Sequence, residues 1–101
     1  MIYRQIGSES LAVGAAAVGF ASIPTRLTTG MPYYAFCTVE TASIRVNSYD
    51  TPTAGGAEGS PLMAAGETFE VWGGDDMVRF KAIAATGVAA VLQVLYFGEA
   101  V

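Results

Sequence analysis

The residues able to do chemistry in this chain are few, and their spacing fits no catalytic template. There is no histidine, so neither a Ser-His-Asp nor a Cys-His relay can be assembled. Asp75-Asp76 is the densest pair of hard oxygen donors. With Asp50 or Glu70 folded beside it, the pair would suit Ca²⁺, but the alternating spacing of a calcium loop is missing. Adjacent aspartates at a turn more commonly bond their own backbone, and a solvated turn is the reading taken here. Glu67 and Glu70 are three apart, so on a strand their side chains face opposite ways. That makes them poor partners for glycoside hydrolysis. Gly55-Gly56-Ala57-Glu58-Gly59 carries no base and opens no helix, so it is not a phosphate cradle. Cys37 is the only cysteine; it closes no disulfide within its chain, and without histidine it makes no ordinary zinc site. Its neighbours Tyr34, Ala35, Phe36 and Val39 mark it as a buried structural thiol. The expectation is therefore no enzyme, no catalytic residue, no metal ligand and no cofactor.

The aromatic residues are the remaining candidates for binding. Tyr33, Tyr34, Tyr49 and Trp72 offer material for a sugar-stacking platform, although such side chains more often fill a core or anchor a protein interface. Trp72 directly precedes Gly73-Gly74 at a strand end, the position most compatible with a ligand. The residues expected to meet a partner are Met1, Ile2, Tyr3 and Arg4 at the amino end, together with Tyr49 and Trp72.

The elements that must position these residues read as β throughout. Met1–Ile6 is a short opening strand or arm, and residues 1–10 are an extended amino-terminal arm in the widest reading. Leu11–Phe20 is taken as a strand because Gly14 and Gly19 each weaken a helix by about 1 kcal/mol. Ser22–Pro32 is a loop, with Pro24, Gly30 and Pro32 as breakers. Tyr33–Glu40 is aromatic and β-branched, as strands prefer. Ala42–Ser48 alternates, with Ile44 and Val46 on one face, and Thr41 makes a bend between the two runs. Tyr49–Pro61 is a long loop, of a length usually functional or mobile. Glu67–Trp72 places Phe69 and Val71 inward. Gly73–Asp76 reads as a hairpin turn. Val78–Ala84 and Val88–Gly98 follow as strands, the last apolar on both faces, one for the core and one for a subunit contact. About seven to eight short strands make one all-β domain over 1–101, an antiparallel β-sandwich or jelly-roll-like barrel.

Composition supplies the functional leaning. Charged residues are 14% of the 101, against about 25% in ordinary soluble domains. A small domain has much surface for its volume, and charge is depleted at the cores of contact surfaces. A chain so poor in charge is expected to pack against copies of itself or a larger partner. Arg4, Arg26 and Arg45 balance Glu9, Glu40 and Asp50 in the first half. Arg79 and Lys81 face Glu58, Glu67, Glu70, Asp75, Asp76 and Glu99 in the second, which carries the whole net charge of −4. No basic stripe meets a phosphate backbone, so no direct nucleic-acid partner is expected. The apolar runs Leu11–Pro24 and Ile83–Phe97 are too short to span a bilayer, and no membrane partner is expected. Gly7-Ser8-Glu9-Ser10 interrupts what would otherwise pass for a secretory signal.

From Tyr33 to Gly98 the chain resembles small β-sandwich virion proteins of tailed bacteriophages. The resemblance is carried by the VETASIRV strand (Val39–Val46), the Thr-Pro-Thr loop (Thr51–Thr53), PLMAAGETFEV (Pro61–Val71) and the VRFKAIAATGVAAVLQVLYFG ending (Val78–Gly98). It departs from that pattern where Tyr49-Asp50-Thr51-Pro52 replaces the usual Asp-Gly turn, and the first 32 residues lie outside it. The resemblance implies a structural protein of the virion, a capsid decoration or cement protein on the capsid exterior, made in the host cytoplasm. Its implied partner is the major capsid protein, with a homo-oligomer, a trimer by preference, as the working unit. A tail or head-fibre component and a glycan- or host-surface-binding sandwich are the alternatives.

Overall fold

The computed structural model describes residues 3–24 and 32–99. Seven strands appear there: β1 (Tyr3–Val13), β2 (Pro32–Glu40), β3 (Ile44–Asn47), β4 (Leu62–Met63), β5 (Thr68–Trp72), β6 (Lys81–Ala84) and β7 (Ala90–Glu99), with one short helix, α1 (Gly74–Arg79), between β5 and β6. They form a four-stranded sheet in the order β1-β7-β2-β5 and a three-stranded sheet in the order β4-β3-β6. Every pairing is antiparallel. The two sheets face each other as a sandwich; they do not close, so the barrel alternative is set aside.

Alternation along the strands builds the core. β7 sends Ala90, Leu92, Val94 and Tyr96 inward, β2 sends Ala35, Cys37 and Val39, and β3 answers from the other sheet with Ile44 and Val46. A period of two puts every second residue on the same face, and these residues obey it without a slip. β2 changes sheet at Thr41, whose φ of 78° is left-handed. The Ala42 N–H reaches the Glu40 carbonyl across it at 2.9 Å, closing a bend that a β-branched residue adopts only under strain.

Three expectations are corrected. Gly73–Asp76 is not a hairpin turn. It opens α1, with Met77 N–H bonded to Gly73 O at 3.0 Å and Phe80 N–H to Asp76 O at 2.8 Å. Gly73 has φ 90° and ψ 144°, a conformation essentially restricted to glycine. Asp75 and Asp76 in the first turn and Arg79 in the last match the helix dipole. Met77 and Phe80 plug the end of the core, each 1% exposed. The following strand therefore begins at Lys81, not Val78. Likewise Leu11–Phe20 is not a single strand. β1 ends at Val13, and the chain crosses to the smaller sheet, where Val18 bridges Ala82 and Phe20 stacks on Phe80 at 4.3 Å.

Third, the stretch 3–10 is not an extended arm, and of the strand and arm readings of Met1–Ile6 the strand holds for Tyr3–Ile6. Tyr3–Ile6 is the first part of β1, paired with β7 from Tyr3 opposite Glu99 onward, with a bulge between Gln5 and Gly7. Met1 and Ile2 lie outside the described residues.

Candidate functional site

The outer face of the four-stranded sheet, turned away from β4-β3-β6, carries the aromatic residues. Register fixes which ones meet: Tyr34 lies opposite Trp72 on one side and Phe97 on the other. Strands in a sheet run about 4.8 Å apart, so rings standing upright on neighbouring strands stack face to face. Tyr34 and Trp72 do so at 4.3 Å and 19°, Tyr34 and Phe97 at 4.9 Å and 7°. The result is a row of three parallel rings presenting their edges outward. A flat platform offering several ring faces to a sugar does not exist here, because these rings use their faces on one another.

Tyr3 completes the group. Its ring is nearly perpendicular to Tyr33, Tyr34 and Trp72, at 5.3, 5.8 and 5.9 Å. Being equidistant from two rings that face each other, it must lie beside that pair, over their edges, and not on the far face of either. Such edge-to-face contacts are each worth about 0.5–1.5 kcal/mol beyond burial. Tyr3 thus fastens the start of β1 across the sheet as far as β5.

The far face of the Trp72 indole is the open end of the row, since β5 is the edge strand. The indole does not swing freely. Tyr34 stacks on its other face, and its Nε1–H donates to Glu70 Oε1 at 2.9 Å. Beside it runs a cleft of about 330 Å³ between β5 and the β3 side, bordered by Asn47, Pro61, Glu70, Trp72 and Asp76. A second hollow continues from Asp76 to Tyr49 and Arg79.

β5 also leaves backbone groups unused along this cleft. The Gly73 N–H bonds to Tyr33 O and the Val39 N–H to Glu67 O. The intervening antiparallel register then turns Phe69 and Val71 toward β2, and Thr68, Glu70 and Trp72 outward.

The far wall of the cleft is held by a polar network in the 48–61 loop. Asn47 Oδ1 accepts the N–H groups of Tyr49 and Asp50 at 2.8 and 2.9 Å, and its amide donates to Ser60 Oγ at 3.2 Å. Glu58 accepts from the hydroxyls of Ser60 and Thr53. These bonds, Ser60 first, bring its carboxyl down to about 2. Arg45 reaches under the loop to the carbonyls of Ala54 and Ser60 at 2.9 and 3.0 Å. Gly56 leaves room for it, as a Cβ there would fall 2.6 Å from Arg45 Nη1. The long loop is therefore a tied structure.

The residues expected to meet a partner separate in space. Tyr3 and Trp72 join one aromatic group, 41% and 48% exposed. Arg4 is exposed on β1 opposite Gly98. Tyr49 projects from the loop, 85% exposed, at the far end of the second hollow. Tyr33 and Tyr34 belong to the aromatic group; Tyr49 does not. Phe97 and Tyr3 were not foreseen as its members. Phe97 was visible only as part of one of the two apolar faces of the last strand, with nothing to say which face is outward, and the pairing of β1 with β7 that brings Tyr3 in is a long-range fact. Asp75 and Asp76 gather no third ligand, and among the described residues no group of three or more acidic or cysteine side chains is placed to hold a metal. Cys37 is fully buried, and burial followed by the nearby Glu9 carboxylate pushes its thiol up to about 12. No helix among the described residues is long and apolar enough to cross a membrane. No family model, curated protein or solved structure matches the chain.

Proposed function

We propose that the protein is a structural component of a bacteriophage virion, of the capsid-decoration kind, that self-associates and adds to the major capsid shell through the outer face of its four-stranded sheet. One observation carries this reading. Phe36 and Leu95, paired across β2 and β7, sit at the middle of that face; Tyr34 and Phe97 flank them toward one end, Val91 lies toward the other beyond the Thr38–Gln93 pair, and each of these apolar side chains is only half-buried. No described element packs over Phe36 and Leu95. The acidic side chains of this face, Glu40, Glu70 and Glu99, stand at its perimeter, on strand ends or the edge strand. An apolar centre with charge at the rim is the anatomy of a protein contact. The low charge of the chain and the residues shared with virion sandwiches point the same way.

A partner that binds only the assembled shell stabilises that shell by mass action. The expected behaviour is stoichiometric co-sedimentation with purified phage capsid shells, and a higher melting temperature for shells carrying the protein. Co-sedimentation no greater than that of an unrelated acidic β-sandwich would overturn the proposal.

A further inference from the structure

We infer that the cleft beside Trp72 is a binding site for a neutral saccharide, with one pyranose ring seated on the open face of the indole. This is independent of the assembly reading. The cleft opens at the β5 edge and leaves the centre of the outer face, around Phe36 and Leu95, uncovered.

Three observations carry it. The first is the indole itself. An exposed tryptophan ordinarily loses rotamer freedom when a ligand arrives, which costs affinity. Here Tyr34 at 4.3 Å and the bond to Glu70 at 2.9 Å already fix the ring, and Tyr3 bounds its edge. One face is left, and an aromatic face is the electron-rich side that attracts the axial C–H groups of a pyranose.

The second is the polar equipment next to that face. Asp76 borders both hollows, with Arg79 behind it in the second. A carboxylate with its two oxygens and a guanidinium fork are the groups that pair with vicinal hydroxyls. Glu70 uses Oε1 on the indole and keeps Oε2. Asn47, by contrast, is committed to the loop and to Ser60, so it serves as a rigid wall.

The third is size and charge. The two hollows, about 330 and 420 Å³, fall in the range of small-ligand sites, about 300–1,000 Å³. Glu70, Asp75 and Asp76 outnumber Arg79 around them, which disfavours sialylated, sulfated or uronic glycans. That leaves neutral sugars. A peptide strand added to the free Thr68, Glu70 and Trp72 backbone groups is the competing occupant; it makes no use of the fixed indole face.

Trp72 is the only tryptophan in the chain, so its emission reports on this site alone. The test titrates the full chain with cellotriose, maltotriose, mannotriose and chitotriose, read by fluorescence and by calorimetry. At least one should give a saturable response with half-saturation between about 0.1 and 10 mM, as weak lectin-type binding does. Asp76→Ala should weaken it tenfold or more. Trp72→Ala should abolish the heat of binding, with an unchanged far-ultraviolet spectrum showing that the sandwich persists. Silence from all four sugars at about 10 mM, or calorimetric binding that survives Trp72→Ala, would overturn the inference. So would a response confined to an extended β-forming peptide, which would make the cleft a strand-docking edge.

Discussion

Glu9 and Tyr96 stand 87 residues apart in the chain and meet inside the sandwich, where the Tyr96 hydroxyl donates to the Glu9 carboxylate. The same carboxylate accepts the backbone N–H groups of Ala21 and Ser22, at 3.1 and 2.8 Å. Tyr96 is fully buried, and a buried hydroxyl needs a partner. Burial, reinforced by Glu9, pushes the Tyr96 pKa up. One acidic side chain on the edge strand β1 therefore satisfies the central tyrosine of the core and ties the crossing segment to the larger sheet.

Removing Glu9 leaves the Tyr96 hydroxyl unsatisfied, whereas removing that hydroxyl leaves Glu9 its two backbone donors. Tyr96→Phe is expected to cost about 1–2 kcal/mol, and Glu9→Ala about 2–3 kcal/mol because two backbone N–H groups are also released. Urea unfolding measures both. The double variant should lose less than the sum, and strict additivity would mean that the two groups do not act as a unit.

The cap of α1 depends on Gly73. No atom lies within 4 Å of a Cβ built there, so only its φ of 90° restricts the position. Gly73→Ala should destabilise the fold by about 1–3 kcal/mol through backbone strain alone. Gly55→Ala, where neither crowding nor positive φ applies, should change the urea midpoint little.

Glu58 makes the 48–61 loop acid-sensitive. Its carboxyl lies at about 2 in the folded chain, below the ordinary value of about 4.3. A depressed carboxylate contributes its tie fully above the unfolded pKa and loses it as pH falls through the folded one. The stability that this tie contributes should therefore decline below about pH 4.3, while the amide resonances of Gly56 and Gly59, which report the folded carboxyl, should shift with a midpoint at about pH 2. In Glu58→Gln that transition should vanish.

Cys37 gives the opposite sign. Its thiol is raised to about 12, from about 8.5 in an unfolded chain. The folded state then holds the proton more tightly, so its contribution is complete below about pH 8.5 and declines as pH rises toward 12. Unfolding free energy should fall with pH from about 8.5, and Cys37→Ala should flatten the part of that fall below the tyrosine range, about pH 10. A thiol reagent should modify native Cys37 only as fast as the protein opens. Rapid native-state labelling would contradict the buried placement.

Sequence pattern was a sound guide where side chains alternate strictly. Ile44 and Val46, Phe69 and Val71, and the inward set of β7 all lie where a period of two puts them. It misled where a structure is one turn long. Gly73-Gly74-Asp75-Asp76 has the composition of a hairpin turn, and the helical signal was only the spacing of Met77 and Phe80, two apolar residues three apart. It also misled between residues 14 and 20, where alternation gives way to small residues and a single bridge from Val18 to Ala82 decides the path. The aromatic group was half legible. Tyr33, Tyr34 and Trp72 were visible as candidates, but that Tyr34 spends both ring faces on Trp72 and Phe97 follows only from the order β7-β2-β5. Glu9 carried no signal as a core partner, since nothing near it in sequence announces Tyr96.

The central claim is that the outer face of the larger sheet is a contact surface. Leu95→Glu tests it most directly, because it places a charge at the middle of that face and leaves the core untouched. Light scattering should give wild-type chain a mass that is a multiple of 10.5 kDa, a trimer by preference, and the Leu95→Glu protein a monomer with the same circular dichroism. A wild-type chain that stays monomeric and ignores purified capsid shells, or a variant that assembles as well as wild type, would contradict the account.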